Sequence, residues 1–391
     1  VRLELLELVD WRSYAAVSLS FDPGVHVLVG ANAQGKTNLL EAVHYLAIGD
    51  SHRVSSDAPL VREGAEAAVV RARAVLGEGQ DGTAQRLTVE LELQPHGRNR
   101  AKVNGQAQPR VRDAYGQIRS VLFAPEDLSL VRGDPSDRRR FLDELLGQRR
   151  PAFLAARQEY DRVLRQRNAL LKALRSGGSS GAAGGVTGAD LAVWTEGLVA
   201  AGAGLLAARI AVVHALAGPA SEAYADLVSG SPEREAAGQL ALVYELSTGR
   251  SIPAEPGAGM PDPADLAAEL REGLERLGRA ERERGVTLAG PHRDELFLGL
   301  KGLPAKGYAS HGEYWSLALA LRLASREVLR EVGEEPIVLL DDVFAELDDD
   351  RRKRLAARCE SYQQVLVTAA VDADVPLLGP RSQVRAGTVS S

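Results

Sequence analysis

A glycine-rich loop and an acid-tipped apolar strand, about three hundred residues apart, constrain this chain more than any other feature. Residues 30–37, Gly-Ala-Asn-Ala-Gln-Gly-Lys-Thr, satisfy the pattern G-x-x-x-x-G-K-[ST]. Residues 26–29 ahead of the loop read as a short apolar strand. Behind it, Leu39, Leu40, Val43 and Leu46 fall at helical spacing. Strand, loop and helix together let successive backbone N–H groups converge on phosphate oxygens. Residues 337–342, Ile-Val-Leu-Leu-Asp-Asp, read as a parallel strand buried on both faces. Its carboxylates would emerge at the sheet edge where open α/β folds hold ligands.

The chemistry of each position follows from its type. Gly30 and Gly35 allow backbone geometry that a side chain would oppose, and Ala31, Asn32, Ala33, Gln34 and Asn38 complete the cradle. Lys36 is placed to neutralise the β- and γ-phosphates, while Thr37 and Asp341 are placed to hold Mg²⁺. Asp342 is the candidate for polarising an attacking water; the alternative is a solvated carboxylate at a strand end. ATP and Mg²⁺ are thus the expected cofactors, with Lys36, Asp341 and Asp342 as the expected catalytic set.

The 391 residues suffice for a full core and two lobes. The single cysteine, Cys359, leaves no intramolecular disulfide to form and fits a reducing cytoplasm. No basic-then-apolar leader pattern and no uninterrupted apolar run of about 18 residues is seen. The expectation is a soluble, cytoplasmic protein with no membrane partner. A formal net charge of −6 argues against indiscriminate nucleic-acid binding. Between Arg132 and Arg175, however, twelve Arg or Lys face six Asp or Glu, so any nucleic-acid surface must be a local patch.

Along the chain, residues 1–9 and 17–21 read as strands, and residues 68–76 and 85–93 as an antiparallel hairpin turning over 78–82. Residues 137–175 and 189–228 carry helical periodicity, joined by a glycine-rich tip over 176–188. That pattern predicts a helical hairpin projecting as an arm. A proline-bearing connection over 247–263 precedes a charged helix over 264–284. The α/β character then returns, with strands at 286–289, 295–300, 337–340 and 364–368 and helices at 314–331 and 349–361. The expected division is an ATPase lobe over 1–128 and 286–391, interrupted by a helical lobe over 129–285.

Two further elements sit between and after the nucleotide motifs. Ser310-His311-Gly312-Glu313 opens a long apolar-striped helix, where serine suits an N-cap and glycine allows close approach to the helix end. Ala345-Glu346-Leu347-Asp348 follows the aspartate pair. The order and spacing resemble ATPases of the ABC type, in which S-x-G-[QE] and an Asp of the D-loop face the nucleotide of a partner subunit. By that resemblance Ser310, Gly312, Glu313 and Asp348 act in trans.

With residues 38–42 (Asn-Leu-Leu-Glu-Ala), 123–128 (Phe-Ala-Pro-Glu-Asp-Leu), 139–143 (Arg-Arg-Phe-Leu-Asp), 290–294 (Gly-Pro-His-Arg-Asp) and 339–348 added, the chain resembles the RecF family, relatives of the SMC-type ATPases. The resemblance covers essentially the whole chain, and the insertion is too short for a long SMC coiled coil. The resemblance implies an α/β fold, an ABC-type ATPase head with a mixed sheet and an inserted helical arm. It also implies an ATP-dependent homodimer clamping double-stranded and gapped DNA, partnered by RecR and RecO in loading RecA, with slow hydrolysis as a release switch.

Several positions depart from the ABC pattern. Ala33 stands where glycine is common, Asp342 where glutamate is common, and Thr368-Ala369-Ala370 where a switch histidine is expected. Residues 123–128 are the positional counterpart of a Q-loop, with Glu126 as its polar group, or form a proline-linked turn. Arg12 resembles a nucleotide-contacting arginine of related ATPases, or is a surface arginine. Arg138, Arg139, Arg140, Arg149 and Arg150 are the candidate DNA contacts, with a solvated, ion-paired helix face as the alternative. His292 and Arg293 match a family motif of unassigned role. A transport or nuclease-coupled ABC ATPase is the competing reading; the long insertion argues against the first and the absence of a second acidic cluster against the second.

Overall fold

Alternating apolar residues build the first sheet. In this computed structural model, which describes residues 1–78, 84–176, 188–229, 240–255, 259–333 and 335–390, β1 (Arg2–Trp11) and β2 (Tyr14–Ser20) form a tight hairpin. β3 (Gly24–Val29) leaves that sheet and runs into the glycine loop, which opens α1 (Lys36–Ile48). β4 (Ala68–Glu78) pairs antiparallel with β1 and with β5 (Ala84–Leu93). β6 (Arg100–Val103) and β7 (Gln106–Ala107) extend the sheet to the order β2-β1-β4-β5-β6-β7. Leu6, Leu8, Val70, Ala72, Val89 and Leu91 share one buried face with Leu39, Val43 and Leu46 of α1. The opposite face is laced by ion pairs such as Arg71 with Glu7 and Glu90. The turn expected over 78–82 lies almost wholly outside the described residues.

The helical insertion begins after β8 (Ser120–Phe123) with α2 (Leu128–Arg132), α3 (Pro135–Arg149) and α4 (Ala152–Arg175). The stretch expected as one helix from 137 to 175 is broken because Pro151 lacks an N–H and forces Arg150 to an extended φ of −143°. The glycine-rich tip lies outside the described residues except at its two ends. α5 (Gly188–Val228) follows. By length and composition α5 could cross a membrane. Here its apolar surface is spent on the protein: Leu205, Ile210, Val213 and Leu216 are buried in one core with Leu317, Leu321, Val338 and Val365. Midway, the fully buried Arg209 makes two 2.8 Å hydrogen bonds to the Asp143 carboxylate of α3. α5 packs on α4 and on the later helices over 263–284 and 311–330, so the inserted helical segments share a core with the ATPase motifs.

β9 (Leu240–Glu245) and β10 (Ser251–Pro253) precede α6 (Pro263–Arg284), and β11 (Glu295–Leu300) with β12 (Leu303–Pro304) completes a four-stranded antiparallel sheet. The strand expected at 286–289 is irregular chain, held by Asn168 through the Thr287 N–H and hydroxyl. The single turn α7 (Ala305–Tyr308) leads to α8 (His311–Arg330). β13 (Ile337–Asp341), α9 (Asp349–Cys359), β14 (Gln364–Ala369), β15 (Arg381–Arg385) and β16 (Thr388–Ser390) finish the fold.

These last strands place the site. The sheet order is β16-β15-β3-β14-β13-β8, parallel from β15 to β8. All five residues of β13 are buried, as a continuous apolar strand between two neighbours requires. β14 separates the loop strand β3 from the aspartate strand β13, so both deliver their C-terminal ends to one edge.

Candidate functional site

The glycine loop and the aspartate pair meet at that edge. Thr37 Oγ1 lies 3.0 Å from Asp341 Oδ1, although 304 positions separate them in sequence. A cleft of about 520 Å³ is lined by Asn32, Ala33, Gly35, Lys36, Thr37, Asn38, Asp341 and Asp342, joined by Ser13, Arg53, Pro125 and Glu126. A hydroxyl and a carboxylate oxygen this close would supply two of the six oxygens of a magnesium shell, and the neighbouring helix N-terminus offers amides to a phosphate.

The backbone explains the loop's glycines. Gly35 sits at φ +107°, and a Cβ there would lie 2.9 Å from Ser13 Oγ and 3.0 Å from the Tyr14 hydroxyl. At Gly30 a Cβ would meet the Val384 carbonyl oxygen at 2.3 Å. Ala33 occupies the left-handed region at φ +64°, so the residue standing where glycine is common carries backbone strain. Lys36 folds over the loop and donates to the carbonyls of Gly30 (2.6 Å) and Ala31 (3.0 Å). Burial lowers its pKa against the opposing pull of Asp342 and Asp341.

Thr368, where a switch histidine was expected, holds the carboxylate instead. Its hydroxyl donates to Asp341 Oδ1 at 2.6 Å and accepts from the Asp342 N–H at 3.0 Å. Burial raises the Asp341 pKa; the hydroxyls of Thr368 and Thr37 oppose this, and Asp342 adds to it. Asp342 itself adopts φ +54° at the strand end and lines the cleft. Glu126 lines the same cleft, its pKa raised first by burial and further by Asp341.

Two arginines lie near the loop, and the one the sequence singled out is not the one that lines the cleft. Arg12 does not line the cleft: it grips Glu41 of α1 through both carboxylate oxygens, with Nε–Oε2 at 2.8 Å and Nη2–Oε1 at 2.5 Å, and donates to the Pro59 carbonyl. Arg53 lines it instead, donating to Asn38 Oδ1 at 2.9 Å and lying 3.6 Å from Glu41. No local pattern marks Arg53, because the irregular chain after α1 carries no periodicity.

The other pair of motifs lies apart from this cleft but joined to itself. Ser310 Oγ accepts from the Glu313 N–H at 3.2 Å, and Glu313 Oε2 accepts from the Ser310 N–H at 2.7 Å, a complete capping box. Lys301 donates to Glu313 Oε1 at 2.7 Å. Asp348 caps α9 and pairs with Arg351, whose guanidinium lies 3.1 Å from where a Gly312 Cβ would stand. Arg351 also donates to Ser316 of α8. Ser310, Gly312 and Asp348 thus share one surface with Glu313 buried beneath it, and none of the four lines the Lys36 cleft.

The basic stretch divides sharply. Arg138 is buried and holds both Glu295 oxygens at 2.7 Å, so it is a structural ion pair and no DNA contact in this arrangement. Arg139 is half-buried and donates to the Asp294 carbonyl at 2.7 Å; Arg149 faces Glu331 at 3.8 Å. Arg140 and Arg150 are exposed. His292 and Asp294 belong to a packing hub: Tyr160 and His292 meet at 2.7 Å, and Tyr244 donates to Asp294 at 3.1 Å. Arg209 donates to the Pro291 carbonyl at 2.6 Å, and burial drives the His292 pKa down to about 4.

A sheet edge presenting a lysine-threonine loop beside an aspartate strand, with a helical insertion between them, defines a P-loop nucleotide-binding head of the SMC type. The family model described as RecF/RecN/SMC N terminal domain matches residues 2–375. The chain is 52% identical over 390 residues to the DNA replication and repair protein RecF of Streptomyces avermitilis, covering 98% of each, and 51% identical over 391 residues to that of Frankia alni, covering 100% and 99%. This chain belongs to the RecF family. The solved structure of a recombination mediator protein RecF with ATP, in the RecFOR pathway, is 27% identical with a TM-score of 0.86, covering 100% of this chain and 97% of that one. The Smc head domain of Pyrococcus furiosus, at 18% identity and a TM-score of 0.51 over 100% and 95%, shares the fold.

Proposed function

We propose that this chain is an ATP-timed DNA clamp of replication and recombinational repair. ATP occupies the Lys36 cleft, with Mg²⁺ held by Thr37 and Asp341 and Asp342 polarising water. Two copies close head to head, so that Ser310 and Asp348 of one complete the nucleotide site of the other. The closed dimer grips duplex DNA at gaps or junctions, acts with RecR and RecO in loading RecA, and opens on slow hydrolysis. The observation carrying this reading is the separation just described: Thr37 and Asp341 converge at 3.0 Å while the signature surface lies outside their cleft. The family relatives, named for DNA replication and repair, and the neighbour solved with ATP in the RecFOR pathway support it. Of the arginines weighed for DNA, Arg140 and Arg150 remain the accessible ones.

Light scattering with ATP, ADP or no nucleotide tests the dimer. ATP should double the mass of the wild type and leave Ser310→Arg monomeric with its ATP affinity intact. Loss of ATP affinity in monomeric Ser310→Arg would instead put the serine in its own chain's site. Duplex affinity that ignores nucleotide would remove the clamp while leaving the nucleotide site standing.

A further inference from the structure

The glycine loop is strained at Ala33, and a strained loop persists only where its surroundings over-determine it. Two hairpin tips hold it in place. The β1–β2 turn grips the loop's far end: the Tyr14 hydroxyl donates to the Gly35 carbonyl at 3.0 Å, and Asn38 Nδ2 donates to Ser13 Oγ at 3.0 Å. The β15–β16 tip grips the residue next to the strain. Ala386 donates its N–H to Gln34 Oε1 at 2.8 Å, and Gly387 directs its N–H to the Gln34 carbonyl at 3.4 Å.

That second tip is itself shaped for the contact. Ala386 and Gly387 take φ +43° and +75°, the double left-handed geometry of a two-residue hairpin turn. A Cβ on Gly387 would stand 2.6 Å from the Ser13 carbonyl oxygen, so the two tips also touch each other. β15 is anchored on β3 in parallel register, Arg381 on Val27 through Gln383 on Val29, and its Val384 carbonyl presses on Gly30 at the loop's start. The hairpin therefore contacts the loop at Gly30 and Gln34 without itself lining the phosphate cleft.

We infer that the Ala386–Gly387 tip is a positioning element for nucleotide binding: by holding Gln34 through its side chain and its carbonyl, it keeps the strained loop in its anion-binding conformation. The inference rests on the proposed ATP site. Gln34 acts here by being held, since its side-chain oxygen is engaged by the tip and is turned away from ligand duty. Releasing the grip lets the loop relax, and affinity falls in proportion to the binding-competent fraction.

The test compares fluorescent ATP-analogue affinity and nucleotide-free melting temperature in the wild type, Gln34→Leu, Gly387→Val and their double variant. Gln34→Leu removes the acceptor; Gly387→Val moves the tip by clash and by its unfavourable φ, at a residue outside the cleft. Each should weaken binding about tenfold with little change in melting. The double variant should be no worse than the weaker single, because both break one contact. Adding Ala33→Gly to Gln34→Leu should recover most of the affinity, because glycine adopts the left-handed φ without strain. Unchanged affinity in a folded Gln34→Leu, additive losses, or no recovery with Ala33→Gly would each overturn the inference. A wild type that fails to bind the analogue would instead overturn the ATP site itself.

Discussion

Two helices of this molecule begin with a glycine near their first turn, and their N-termini are finished in opposite ways. α1 starts after Gly35 with no side-chain cap and no acidic residue in its first turn. α8 starts after Ser310 with a capping box, its end satisfied by Ser310 and Glu313 and its carboxylate held by Lys301. A helix N-terminus carries unsatisfied amides and partial positive charge, which attract either an internal carboxylate or an external anion. α8 has supplied its own; α1 leaves the position open and puts Lys36 beside it. The glycines differ as well: Gly35 is required by its φ of +107°, whereas Gly312 makes room for the Arg351 guanidinium. One terminus is left open beside the cleft, and the other is closed by its own side chains.

The largest break of this contrast is at α1. Lys36→Met should reduce ATP affinity by roughly a hundredfold or more, since it removes the charge-assisted contact the open terminus relies on. Isothermal titration that finds near-normal binding would put the nucleotide elsewhere. At α8 the same kind of deletion should act on stability. Ser310→Ala should cost about 1 kcal/mol of unfolding free energy, the usual value of an N-cap, with ATP affinity unchanged. A loss of ATP affinity in place of stability would erase the distinction between the termini.

Acid should sharpen it further. Burial pushes the Glu313 pKa up, but hydrogen bonds from Lys301 and Ser310 outweigh this, and the net direction is below the ordinary 4.5. A carboxylate with a depressed folded pKa stabilises the fold above its unfolded value and loses that contribution as pH falls through the folded one. The capping box should therefore weaken below about pH 4.5, and Glu313→Gln should flatten that loss in denaturant titrations run at successive pH values. No carboxylate in the first turn of α1 titrates in the same way. The smallest effect belongs to Ala33→Gly. Relief of left-handed strain and the added freedom of the unfolded chain oppose each other, leaving a net gain of about 0.5 kcal/mol. A measurable loss of stability would show that the loop carries no strain at Ala33.

Much of this was readable before the fold was known. The strand entering the loop, the helix leaving it, the apolar strand ending at Asp341 and the Ser310 cap are each encoded within a dozen neighbouring residues by periodicity and residue type. The family resemblance was readable from the same local motifs. What escaped was long-range. Arg138 looked like a phosphate contact until Glu295, 157 positions away, was found holding it. Arg12, read as a nucleotide contact or a surface arginine, is paired with Glu41 of α1, and Arg53 stood in a stretch without pattern. The second helix of the expected arm proved to be a core helix because α8 and α6 cover it together with α4.

The division has a physical cause. Local backbone preference, capping and apolar spacing act between residues close in sequence, and they were enough to determine the nucleotide motifs, their strand and helix contexts and the α/β character. Whether a charged side chain binds a ligand or a neighbour depends on which partner reaches it first, and only packing decides that. The same holds for the site itself. Thr37 and Asp341 meet because β3 and β13 flank β14 in one sheet, and Gln34 is gripped by Ala386 because β15 lies against β3.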